Sequence, residues 1–227
     1  MPKNHYDKLL DMKIIDRIGL AESKKELVLR IHQHMGMDVE GLYIVFDDYD
    51  YTGYLNRLYT NNLAFHMNVE LGGIEEMSPS HILEIIENPK CKYFIWVSRT
   101  VPLTDDMEFS WIYSHELQHM AQDIKYPNVS FLTCFLLVTY HRVDPTTTVL
   151  DIPAELDAEL KAIEILNVFF GAAACRAYLQ HRLPIMRTSE YSLKLTSLIV
   201  KPPIDIEKET INILCVRYSN IEPLFVV

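Results

Sequence analysis

Residues 106–123, Asp-Met-Glu-Phe-Ser-Trp-Ile-Tyr-Ser-His-Glu-Leu-Gln-His-Met-Ala-Gln-Asp, read as one amphipathic helix, and that reading decides the rest of the chain. Thr104 or Asp105 supplies the cap, Asp106 and Glu108 complement the helix dipole in the first turn, and Pro127 stops the run. Inside it lies His115-Glu116-Leu117-Gln118-His119. Histidines at i and i+4 project from one helix face, close enough to share a single metal ion. Glu116 points toward the same open side of that ion, where it can take a proton from a water. No other stretch of the chain carries chemistry this specific.

A catalytic zinc takes three protein ligands and keeps one position for water. Six residues beyond His119 the sequence reads Lys125, which excludes a His-x-x-Gly-x-x-His extension. The other common solution is a carboxylate on a later helix. Pro153-Ala-Glu155-Leu-Asp157-Ala158-Glu159 offers one, with Glu155 in the first turn after a proline start and Glu159 one turn later on the same face. The small residues Ala158 and Ala162 let this helix approach the histidine helix closely. Glu155 is therefore expected as third ligand, completing a site for one Zn2+ per chain with His115 and His119. Glu159 is expected to accept the free ring N–H of a ligand histidine, with Asp157 competing for that role. Acidic residues at a helix start also serve the helix dipole without any metal. Tyr140, His141 and Arg142 end an apolar stretch between the two ligand helices and are candidate donors to a developing oxyanion. Each taken singly is more simply explained as the polar end of a helix, with cations near its carboxyl terminus.

The chain has 227 residues, enough to bury a substantial core in one domain or one domain with an extension. Hydrophobic residues make up 49% and charged residues 23%, an ordinary globular balance. A formal net charge of −10 repels phosphate backbones, so no nucleic-acid partner is expected. Lys24-Lys25 reads as a solvated helix face. The four cysteines, Cys91, Cys134, Cys175 and Cys215, lie far apart in apolar settings and read as buried free thiols. Residues 1–20 lack a signal peptide's apolar centre, and the most apolar run, 129–140, is shorter than the roughly 20 residues a bilayer span needs. A cytoplasmic protein with no membrane partner is the expectation.

Outward from the motif, the pattern gives an α+β chain with a few strands first and helices dominating afterwards. Asn4 caps a first helix whose apolar side includes Met12, Ile14, Ile15 and Ile18, and Gly19 closes it. A second helix covers Glu22–Met35, with Gly36 as its stop. Strands are expected at residues 42–46, 63–71 and 92–98, the last dense enough in large side chains to be buried on both faces. Asp47 begins an acidic turn. A short helix starts at Ser78-Pro79 and runs to Ile86. Past Pro127, helices are expected at 128–140, from Pro153 to Phe170, at 172–181 and at 207–218, with a turn at Pro202-Pro203. The chain divides into strands and helices over 1–100, metal-site helices over 104–171 and a helical extension over 172–227, all in one domain. His32, His34, His66, His81 and His181 read as surface or satisfied core residues. Trp96 and Trp111 read as core, with Trp96 also placed to line a cleft.

Residues 114–122 together with 153–158 resemble the zincin metallopeptidases, and most closely their glutamate-ligand branch, the gluzincins. They are also similar to small bacterial and phage zincin-like proteins that pair the motif with a Glu-x-Asp-Ala helix. The likeness covers about residues 92–170. It implies a small, mostly antiparallel sheet of about three or more strands packed on the motif helix, followed by a helical C-terminal half. It also implies a substrate lying along an edge strand before that helix, which would be residues 92–98. Many gluzincins carry an Asp four residues after the ligand Glu; here that position is Glu159. The activity implied is zinc-dependent cleavage of an intracellular protein or peptide, with Glu116 as general base. The alternatives are a zinc-binding regulatory or interaction module with narrow or lost peptidase activity, and a hydrolase of non-peptide amides or esters.

Overall fold

Runs of β-branched and aromatic residues alternate with helical runs through the first hundred positions, and that alternation builds a sheet between helices. A computed structural model describes residues 12–49, 63–71, 78–128, 132–133, 152–182 and 205–217. Its strands are β1 (Lys13–Asp16), β2 (Leu42–Asp47), β3 (Ala64–Asn68) and β4 (Tyr93–Ser98). The helices are α1 (Glu22–Met35), α2 (Ser80–Ile86), α3 (Asp106–Lys125), α4 (Pro153–Phe170), α5 (Ala172–Arg182) and α6 (Ile206–Arg217). The class is α+β, as the sequence indicates. The expected helix at 128–140, the turn at Pro202-Pro203 and the Asn4 cap fall largely or wholly outside the described residues.

Three expectations are corrected. Residues 13–16 form strand β1 rather than the end of a helix. Ile14 and Ile15 favour extended backbone, and the Asp16 carboxylate accepts the N–H groups of Ile18, Gly19 and Leu20, which turns the chain directly into α1. The sheet is also not mostly antiparallel. Its order is β1-β2-β4-β3; β1, β2 and β4 are parallel and β3 alone is antiparallel. The chain between each parallel pair carries a helix, the connection parallel strands require. Finally, β4 is an interior strand, and among the described residues the edge beside it is β3. Phe94, Ile95, Trp96 and Val97 are all buried, as expected of a strand covered on both faces.

One face of the sheet, with Leu42, Ile44, Phe46, Ile95 and Val97, packs on α1, α3 and α4. The other, with Tyr43, Val45, Phe94 and Trp96, packs on Ile82 and Ile86 of α2. Trp96 therefore fills the core on the side away from α3. Gly41 is fixed by close approach: at φ 83°, a Cβ there would stand 2.7 Å from the Lys90 carbonyl oxygen. Cys91 and Cys175 are buried free thiols. Among the described residues, no helix is long and apolar enough to cross a membrane.

Helix α3 is pinned from α1 at two points. Lys24 is buried rather than solvated: its ammonium reaches the Thr104 carbonyl oxygen at 2.9 Å and Asp106 at 2.8 Å, over the ring of Phe109. About two turns further along α1, His32 Nδ1 lies 2.8 Å from the Met37 carbonyl oxygen, and its Nε2 lies 2.6 Å from the Tyr113 hydroxyl. The carbonyl can only accept, so Nδ1 carries the proton and Nε2 accepts from Tyr113. Burial drives the His32 pKa down to about 4 from 6.5, against the raising influence of the Met37 carbonyl and Asp38. The unfolded chain therefore binds the extra proton first. Stability from the neutral ring is whole above about pH 6.5 and drains away as pH falls toward the folded value, by about 2 kcal/mol at pH 5. His32→Gln should be less stable than wild type near neutrality, with the gap closing by pH 5 in urea unfolding; parallel pH profiles would contradict this.

Candidate metal centre

The Asp105 carboxylate starts α3 by accepting the N–H groups of Met107 and Glu108, and the sheet and α1 hold the helix in place. From this helix His115 and His119 project toward α4. Ile152 and Pro153 start α4, so Glu155 stands in its first turn, facing both histidines. The two Nε2 atoms lie 3.0 Å apart, and Glu155 Oε2 is 3.4 Å from His115 Nε2 and 3.5 Å from His119 Nε2. Two ligand atoms each 2.0–2.1 Å from one ion at the tetrahedral angle would stand roughly 3.3–3.4 Å apart. The observed triangle has that size.

The chemistry of the three atoms fits a cation equally well. His119 Nδ1 lies 2.9 Å from Gln122 Oε1. The Gln122 amide nitrogen donates to the Ala154 carbonyl oxygen at 2.8 Å and to Asp157 Oδ2 at 2.9 Å, so its oxygen must face the histidine. Nδ1 of His119 therefore carries the proton, and Nε2 presents its lone pair to the triangle. On His115, Nδ1 stands 3.4 Å from Glu159 Oε1 without forming a hydrogen bond, and Nε2 faces the triangle. Two imidazole nitrogens and a carboxylate oxygen converge there. A divalent cation satisfies all three.

Electrostatics point the same way. Burial pushes the Glu155 carboxyl up, but His119 and His115 outweigh it and hold the group well below the usual carboxylate range. Burial pulls both ligand histidines down, and Glu155 more than compensates, raising them above the ordinary imidazole value. Glu159 adds to this at His115. Such a carboxylate-rich pocket stabilises positive charge, whether protons on the imidazoles or an ion between them.

The structure thus brings together His115, His119 and Glu155, whose ligand atoms all lie within 4.8 Å of one another. Glu159 stands behind His115. Asp157 does not touch a ligand histidine; it accepts from Gln118 and Gln122 and acts on His119 through the latter. Both carboxylates stand behind the ligands, at different distances. Tyr140, His141 and Arg142 lie outside the described residues.

Sequence reading missed His66, Gln122 and Asp123. His66 sits on β3, with its ring stacked on His119 at 4.9 Å between centroids. Its Nδ1 is 3.4 Å from Glu116 Oε2, and its Nε2 is 3.4 Å from Asp123 Oδ2. Burial lowers its pKa, but Asp123 and Glu116 outweigh that and lift it to about 9. The one sequence signal was alternation: Phe65 and Met67 are the apolar positions of β3, which leaves His66 on the opposite face, toward α3.

No family model, curated protein or solved structure matches the chain. The centre is therefore defined by its own geometry. Glu155→Ala should weaken zinc binding by well over tenfold, and Asp157→Asn by about tenfold through the loosened Gln122. Competition with a zinc chelator measures both. Unchanged affinity in the Glu155 variant would remove that residue from the ligand set.

Proposed function

We propose that this chain is a zinc-dependent hydrolase of the metallopeptidase type, with His115, His119 and Glu155 as ligands and Glu116 as general base. The observation that carries the reading is the triangle of two imidazole nitrogens and one carboxylate oxygen, with edges of 3.0, 3.4 and 3.5 Å. When bound there, zinc supplies an activated water and polarises the substrate carbonyl. Glu116 adjoins His115 in sequence, with its side chain only 15% exposed. In this reading it accepts the proton of the attacking water and returns it to the leaving amine, so that it ends the cycle ionised as it began. Gln122 holds His119 in the tautomer that offers Nε2, and the Glu159 carboxylate stands beside Nδ1 of His115.

The peptide part of the reading is supported by the sheet. In the order β1-β2-β4-β3, the strand that carries His66 toward the centre is the last one. Among the described residues nothing pairs with its outer edge, where backbone N–H and C=O groups would meet an extended peptide, the mode of binding found at exposed sheet edges. The zincin resemblance implies the same arrangement, with β3 taking the role expected of residues 92–98.

Zinc-loaded protein should cleave members of an undirected peptide library. Glu116→Gln should retain zinc and lose at least about a hundredfold in turnover, because it removes the proton acceptor and little else. An unchanged rate in that variant would remove Glu116 as the base. No cleavage by zinc-loaded wild-type protein would count against the peptidase reading itself.

A further inference from the structure

His66 stands against the metal centre without belonging to its ligand triangle. It pairs in register with Ile95 of β4, whose side chain lies in the core beneath α3, so His66 projects from the same sheet face. Its ring lies nearly parallel to that of His119, with 20° between the planes. The stacking fixes the ring plane and leaves both nitrogens at its edge, facing carboxylates of α3. Nδ1 faces Glu116 Oε2 and Nε2 faces Asp123 Oδ2, each at 3.4 Å. Glu116 and Asp123 are seven residues apart, about two helical turns along one face. A single imidazole from the sheet therefore bridges the proposed base to a buried carboxylate further along the same helix.

We propose that His66, braced by Asp123 and by the face of His119, is a positioning residue for the Glu116 carboxylate. This rests on the hydrolase reading above. A glutamate side chain has three rotatable bonds, and a general base works only within hydrogen-bond reach of the proton it takes. A donor at Nδ1 holds Oε2 and leaves Oε1 to accept the proton from the attacking water. His66 takes no part in the proton transfer: one proton passes from water to Glu116 and from Glu116 to the leaving amine. Asp123 acts one step further back, its carboxylate standing 3.4 Å from Nε2 on the far edge of the ring. A plain strap between β3 and α3 would need neither the ring plane nor a donor at Nδ1.

Two substitutions separate these roles, because the amide nitrogen of Asn overlays the position of Nδ1 and that of Gln the position of Nε2. On a peptide that the wild-type protein cleaves, His66→Asn should keep kcat within about threefold, whereas His66→Gln should lose roughly ten- to a hundredfold, with KM and zinc content unchanged in both. Equal losses in the two variants, or intact kcat in both with only thermal stability lowered, would overturn the proposal. A second readout needs no turnover: ring nitrogen NMR signals of the zinc-loaded protein. Replacing Glu116 with Gln should shift the Nδ1 signal of His66; an unmoved signal overturns the contact on which the proposal stands. A shifted signal in a protein that cleaves no peptide would count against the hydrolase reading alone.

Discussion

Everything at the centre depends on how closely α3 and α4 approach. Ala154, Ala158 and Ala162 recur at every fourth position of α4 and are all buried, forming a stripe without bulk that lets the two helix backbones come together. Their contact is the most extensive between any two elements among the described residues. Gln122 then ties them: its amide nitrogen bridges to the Ala154 carbonyl oxygen and to Asp157, while its oxygen fixes His119. One side chain thus sets both the helix spacing and a ligand tautomer. With that spacing, Glu155 in the first turn of α4 falls opposite the histidine pair; a larger residue on the stripe would draw it away.

The sheet has a complementary task. Its parallel strands are covered on both faces and form the rigid floor beneath α3, while its one antiparallel strand brings His66 up beside the histidines. Lys24 and the His32–Tyr113 pair fix the other side of α3 to α1. The polar residues of the centre thus rest on three elements, α3, α4 and β3. The buried Asp123 and Glu159 carboxylates each stand beside a histidine ring nitrogen, the kind of polar partner such groups need in a protein interior.

Much of this was legible in the sequence because the decisive contacts are local or periodic. The His-Glu-x-x-His spacing needs only helical geometry, and Pro153 announces a helix start that places Glu155 and Glu159 on one face. What failed were readings that depend on which elements become neighbours. Residues 13–16 have an apolar pattern compatible with helix or strand, and only pairing with β2 selects the strand. Burial of residues 92–98 on two faces says nothing about which strands flank them, and only pairing with β2 on one side and β3 on the other makes the strand interior. Lys24 looked like a surface charge because sequence shows no sign of the Thr104 carbonyl 80 residues away. His66 was overlooked for the same reason, since its partners lie 50 or more positions along the chain.

The central claim is that two imidazoles and one carboxylate hold a single zinc ion between α3 and α4. X-ray absorption at the zinc edge of the loaded protein tests it most directly. The assignment predicts a first shell of nitrogen and oxygen only, at about 2.0–2.1 Å, with the outer-shell scattering of two imidazole rings. A sulfur shell near about 2.3 Å, or scattering from fewer than two rings, would contradict it.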